Sequence, residues 1–190
     1  MTRDPSPETR RWLLATGDAR ARVVVGLGNA ERAYARTRHN LGALAVARAV
    51  ERLGLKPAPG QIPVPTARAA FVLPTGFMNE SGLPVRRAVE RWRPAAHGLL
   101  VVHDDMDLPL GAVREKEGGG HGGHNGLRDV IAALGTGAFK RLRLGIGRPP
   151  GRLDPADYVL SRFRPEERDT VVLMVEEACA AILRFAEARD

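Results

Sequence analysis

Residues 22–29 read Arg-Val-Val-Val-Gly-Leu-Gly-Asn, a β-branched run that ends in a tight Gly-Leu-Gly turn. β-branched side chains favour extended backbone, and an apolar run closed by such a turn reads as a buried strand. A second continuous apolar run, Gly98 to His103, leads straight into Asp104-Asp105-Met106-Asp107. Between them, Leu41, Leu44, Ala45, Ala49 and Leu53 follow helical spacing, and Ala69 to Leu73 reads as a short strand. Lys56 to Pro65 holds four prolines and reads as a loop. Ser81 is placed to cap a helix running to about Trp92, ahead of Pro94. Ala112 to Glu117 alternates like a strand, and a helix is predicted from Leu127 to Leu134. From Arg141 to Ile146 the alternation puts Leu142, Leu144 and Ile146 on one side and Arg141 and Arg143 on the other. A last helix is predicted over roughly Pro165 to Ala188. Strands alternating with helices predict an α/β fold, a single three-layer sandwich with a mixed, mostly parallel central sheet flanked by helices. Such sheets place their sites beyond the carboxyl ends of the strands. Residues 1–20, polar and carrying two prolines, read as a mobile extension before one domain at 21–190.

The formal charge of +7 and a pI near 10.6 point to an anionic partner, nucleic acid first. Genomic enrichment in arginine gives the same excess, so charge alone leaves both readings open. The single cysteine, Cys179, excludes a disulfide framework or a cysteine-based zinc cluster and fits a reducing cytoplasm. Trp12-Leu13-Leu14-Ala15 is too short for a signal peptide or a membrane span. A protein without a membrane partner is expected.

All four asparagines, Asn29, Asn40, Asn79 and Asn125, fall in short motifs with Gly, His or Phe. A carboxamide donates and accepts hydrogen bonds without charge, which suits recognition of amides and esters. A liking for turns next to glycine accounts for Asn29 or Asn125 alone, but less well for the other two. Gly26-Leu27-Gly28-Asn29-Ala30-Glu31 has two of the three dinucleotide-fold glycines and Glu31 at the third, a weak signal for a nicotinamide cofactor. His103, Asp104, Asp105, Asp107, His121 and His124 match no compact ligand spacing, so no metal is assigned. His39 is either a surface loop histidine or a general base. As a base it needs an orienting carboxylate, and Asp104 is the best candidate. No serine or cysteine sits in a nucleophile-elbow context, which leaves water as the nucleophile. Gly118 to Gly126 is a hinge or a cradle of backbone N–H groups, with Arg114 and Lys116 before it for a nucleic-acid backbone or merely for solvent.

Six motifs in order, from about Arg22 to Phe185, resemble the bacterial peptidyl-tRNA hydrolase family. They are Val24-Val-Gly-Leu-Gly-Asn29 with Tyr34-Ala-Arg-Thr-Arg-His-Asn40-Leu-Gly42, Phe77-Met-Asn-Glu-Ser-Gly82, His103-Asp-Asp-Met-Asp-Leu108, Gly118-Gly-Gly-His-Gly-Gly-His-Asn-Gly-Leu127, Arg141-Leu-Arg-Leu-Gly-Ile-Gly147 and Asp157-Tyr-Val-Leu160. The resemblance implies cleavage of the ester between a peptide and tRNA, by a monomer without metal or organic cofactor. It implies His39 as the catalytic base, Asp104 as the residue that keeps it basic, and Asn79 as a further catalytic asparagine. Asn125, Tyr34, Phe77 and His124 are implied as substrate contacts, and Asn29 as the residue that separates blocked from free aminoacyl-tRNA. Arg114, Lys116 and Arg143 fall where the family binds tRNA. Ala30-Glu31 stands where the family has Pro-Gly, and the proline-rich 56–70 stretch implies a trimmed sheet edge. A non-catalytic RNA-binding module on the same fold is the alternative.

Overall fold

The computed structural model describes residues 18, 21–64 and 69–188. The expected N-terminal extension therefore lies outside the described residues except for Asp18, which bridges to Pro94. Six strands form one sheet: β1 Arg22–Gly26, β2 Gly60–Val64, β3 Ala69–Leu73, β4 Leu99–Asp105, β5 Val113–Glu117 and β6 Lys140–Gly145. Their spatial order is β2-β3-β1-β4-β6-β5. The inner four strands are parallel, while β2 and β5 close the two edges antiparallel to β3 and β6. Among the described residues the α-helices are α1 Leu41–Arg52, α2 Gly82–Trp92, α3 Asn125–Leu134, α4 Pro155–Leu160 and α5 Arg168–Glu187.

Inner parallel strands are covered on both faces, so they read as unbroken apolar runs rather than alternating ones. Alternate residues of β1 accordingly belong to different cores. Val24 packs with α1, α4 and α5 on one face, and Val23 and Val25 with α2 and α3 on the other. The alternation read in β6 holds: Leu142, Leu144 and Ile146 are buried in the first core. This is the three-layer α/β sandwich, with a mixed and mostly parallel sheet.

Two local readings need correction. Residues 60–64 are not loop but the edge strand β2, paired residue for residue with β3 from Gly60–Leu73 to Val64–Ala69. Proline is tolerated on an edge because one side of the ladder is unpaired. The helix after Ser81 starts as predicted, but the Ser81 hydroxyl donates to the Met78 carbonyl instead of capping it. The Gly82 N–H is taken by Asp129 Oδ2 from α3 at 2.6 Å, so the cap comes from a neighbouring helix.

Candidate active site

The crossing from β1 to α1 sets the site. An added Cβ on Gly42 would lie 2.2 Å from the Val102 carbonyl oxygen and 2.9 Å from that of Leu27. The first turn of α1 thus rests directly on the carboxyl ends of β1 and β4. The residues just before it, Arg38–Asn40, form a buried 3₁₀ turn. Arg38 fastens that turn to the α4–α5 connection. Its guanidinium donates to Glu167 Oε2 at 2.6 Å and Ser161 Oγ at 2.9 Å, and lies over the rings of Tyr158 and Phe163.

His39 is held between this turn and β4. Its Nδ1 is 3.0 and 3.1 Å from the two Asp104 carboxylate oxygens. Asp104 lies within β4 rather than after it, at a register position opposite Leu144. Burial alone raises the pKa of such a carboxyl, but the His124 and His39 rings outweigh it and hold Asp104 well below the usual carboxylate range. A carboxylate is acceptor-only, so the Nδ1 hydrogen of His39 points at Asp104 and its lone pair sits on Nε2.

His124 completes the group from the other side. Its Nε2 is 3.0 Å from Asp104 Oδ1, and its Nδ1 accepts the Leu127 N–H at 3.3 Å as the N-cap of α3. The room for this comes from Gly126, where a Cβ would meet Met78 Sδ at 2.5 Å and His124 Cε1 at 3.2 Å. Burial, with His124 second, pushes the neighbouring His103 down to about 3, which keeps it neutral; its Nδ1 donates to the Asp104 carbonyl.

His39, Asp104 and His124 offer ligand atoms within 4.8 Å of one another, a grouping that linear spacing had hidden because His39 is so far away in the chain. A cation there would need the lone pair of His124 Nε2. With Nδ1 accepting from Leu127, that nitrogen carries the hydrogen, so the residues fit a hydrogen-bonded triad better than a metal centre.

His39 and Asp104 open into a cavity of about 490 Å³, also lined by His124, Asn125, Lys116 and Arg143. Arg143 Nε donates to Asp105 Oδ2 at 2.7 Å. Burial opposes ionisation of Asp105, but Arg143 and the Asp107 N–H hold its pKa below the ordinary value. Arg141, which alternation puts on the same side of β6 as Arg143, ties down the glycine loop by donating to the Gly119 and Gly120 carbonyls. Lys116 and Arg114 are exposed on the edge strand β5.

Of the remaining predicted residues only Asn125 lines this cavity; Asn29, Tyr34, Phe77 and Asn79 do not. Asn29 is buried, with its Oδ1 accepting the Met78 N–H at 2.7 Å. Its backbone N–H and C=O are both bonded by the Asn40 carboxamide, at 2.8 and 2.9 Å. Asn40, one of the four asparagines singled out in the sequence, is thus a clamp on the backbone of Asn29. Phe77 and Asn79 are exposed on the next turn, and Asn79 lines a groove with Arg86 and Arg87 apart from the His39 cavity. Tyr34 is half-buried, and Asn125 is exposed with its Oδ1 bonded by Arg128. The unusual Ala30-Glu31 turn is anchored by an Ala30 N–H bond to the Gly76 carbonyl at 2.9 Å.

Comparison with known proteins accords with this geometry. The family model described as peptidyl-tRNA hydrolase matches residues 23–189. A peptidyl-tRNA hydrolase of Mycobacterium tuberculosis is 47% identical over 167 residues, covering 84% of this chain and 87% of the relative. One from Frankia casuarinae is 46% identical, covering 84% and 85%. The crystal structure of peptidyl-tRNA hydrolase from Acinetobacter baumannii superposes with a TM-score of 0.79 at 32% identity, covering 91% of this chain and 92% of that one. With both the sequence and the fold matched over most of its length, this chain belongs to the peptidyl-tRNA hydrolase family.

Proposed function

We propose that the cavity hydrolyses the ester between a peptide, or an N-blocked amino acid, and the terminal ribose of tRNA, with His39 as the base for an attacking water. The observation that carries this reading is the His39–Asp104 contact on a cavity that Lys116 and Arg143 also line. His39 Nε2 takes a proton from the water as its oxygen attacks the ester carbonyl carbon. The ester C–O bond then breaks, and the same proton passes to the departing ribose oxygen. Asp104 keeps the ring oriented and offsets the charge of the imidazolium between these steps. A positioned base contributes roughly 10²–10⁴-fold, and oxyanion donors a similar factor. An ester with a ribose leaving group needs little more.

Asn29 and Asn125 are assigned to the first amide of the peptide. Asn79 faces its own groove, so its contribution depends on the substrate reaching it, and Phe77 and Tyr34 are assigned to the tRNA end. Lys116, Arg114 and Arg143 are assigned to phosphates. Residues 21–190 act as one catalytic unit, and a monomer suffices because His39, Asp104 and His124 come from one chain. No helix among the described residues is long and apolar enough to cross a membrane. A cytoplasmic site of action, where peptidyl-tRNA arises, agrees with the lone thiol. A purely RNA-binding role leaves the His39–Asp104–His124 arrangement without a use.

The test is release of free tRNA from N-acetyl-aminoacyl-tRNA by the purified protein. Turnover is expected to survive excess chelator, and His39→Ala to lower kcat by roughly 10²–10⁴ with little change in binding. Activity lost to chelator and restored by zinc would replace this reading with a metal hydrolase.

A further inference from the structure

The geometry assigns His124 a positioning role: it shares the charge of Asp104 and so limits how strongly that carboxylate holds a proton on His39. This rests on the ester-hydrolase reading above and departs from the substrate contact that the sequence implied for His124. The ring is used at both ends. Nδ1 accepts the Leu127 N–H, which fixes the hydrogen on Nε2, and that hydrogen is donated to Asp104 Oδ1. The His39 and His124 rings are tilted against each other with centroids 4.7 Å apart, and both reach the same carboxylate. The start of α3 is therefore coupled to the catalytic base through one imidazole.

The consequence has a sign. A buried carboxylate with a single donor places all its negative charge against that donor and favours the imidazolium form there. A base must be free of its proton to act, so a second donor on Asp104 widens the pH range in which His39 is ready. Asp104 held far below the usual range agrees with two donors acting on it. The other charged or titratable groups around the pair do not substitute for His124. From β4, His103 is kept neutral by burial, and Asp105 is engaged by Arg143 of β6. Arg141 of β6 is spent on the glycine-loop carbonyls. Lys116 of β5, His121 of the glycine loop and Asp154 before α4 line the same cavity, but among the described residues the Asp104 carboxylate is bonded by His39 and His124 and by none of these three.

Two substitutions separate the two ends of the ring. An asparagine amide falls near the Nδ1 position and is a favoured N-cap, while a glutamine amide reaches the Nε2 position. His124→Asn is expected to keep the thermal midpoint within a few degrees and to move the acid limb of the kcat–pH profile up by about one unit, with the alkaline plateau retained. His124→Gln is expected to lower the midpoint by about 2–4 °C through the lost cap, while the acid limb stays at its wild-type position. Asp104→Asn should move the limb the opposite way, to lower pH, as it removes the anion itself. If His124→Asn leaves the limb in place, or changes only KM, His124 is a cap or a substrate contact and the assignment is wrong. Failure of the wild-type protein to release tRNA would instead overturn the hydrolase reading and is visible before any variant is made.

Discussion

Asn29 spends its carboxamide oxygen on the Met78 N–H, so what its side chain has left to offer is the Nδ2 donor. A donor suits the acyl carbonyl of a blocked amino acid. It has nothing to give the α-ammonium of free aminoacyl-tRNA, which is itself only a donor, and a buried unpaired charge is costly. Asn29→Asp keeps an acceptor for Met78 and adds a carboxylate for the ammonium. The kcat/KM ratio of free to N-acetylated aminoacyl-tRNA is expected to rise about tenfold or more, in line with a charge-assisted hydrogen bond. An unchanged ratio would make Asn29 a turn residue only. At this scale the His39–Asp104 pair was legible, because a base needs an orienting carboxylate and few positions could supply one. The Asn40 clamp and the doubled use of His124 were not. Both depend on which atom of a side chain meets which backbone group, and that is set by the crossing of chain segments far apart in sequence.

The elements themselves were mostly readable, and the exceptions have physical causes. β1, β4 and β6 announce themselves because covered parallel strands are apolar throughout or strictly alternating. β2 is hidden by Pro63 within it and by Pro57, Pro59 and Pro65 around it, which mark a loop unless the strand lies at an edge. The short helix α4 has only six residues, too few for a period to show. The cap on α2 escapes the local sequence because its acceptor, the Asp129 carboxylate, comes from another helix. The packing of α1 on the sheet offers the test at this scale. Gly42→Ala drives a methyl group against two backbone carbonyls that cannot turn aside. A loss of about 1–3 kcal/mol in urea unfolding is expected. Because His39 sits in the turn before α1, kcat should fall as well. A variant of wild-type stability would show that α1 can slide outward without cost.

Across the whole molecule the basic excess becomes a surface. Arg114 and Lys116 stand on β5 and Arg143 on β6, beside the cavity that carries His39. Arg114→Ala, Lys116→Ala and Arg143→Ala are each expected to raise KM for tRNA substrates. Each should also reduce the magnitude of the log–log salt slope by about 0.7–0.9, as one phosphate contact is lost. Short ester mimics without the tRNA body should be turned over as before, and an unchanged slope would reduce these residues to solvated charge. Arg143 differs from the others in being paired with Asp105, which holds its side chain in one orientation.

β5 is also an edge of the sheet, with no further strand paired to its outer side among the described residues. Four of its five residues, Arg114, Glu115, Lys116 and Glu117, are charged and exposed. Charge along an edge is a common guard against lateral strand addition and the aggregation that follows. The same lysine and arginine assigned to RNA would then keep copies of the protein apart while no tRNA is bound. Removing both basic charges at once would leave only Glu115 and Glu117 to guard that margin, and the double variant is expected to aggregate more readily than wild type.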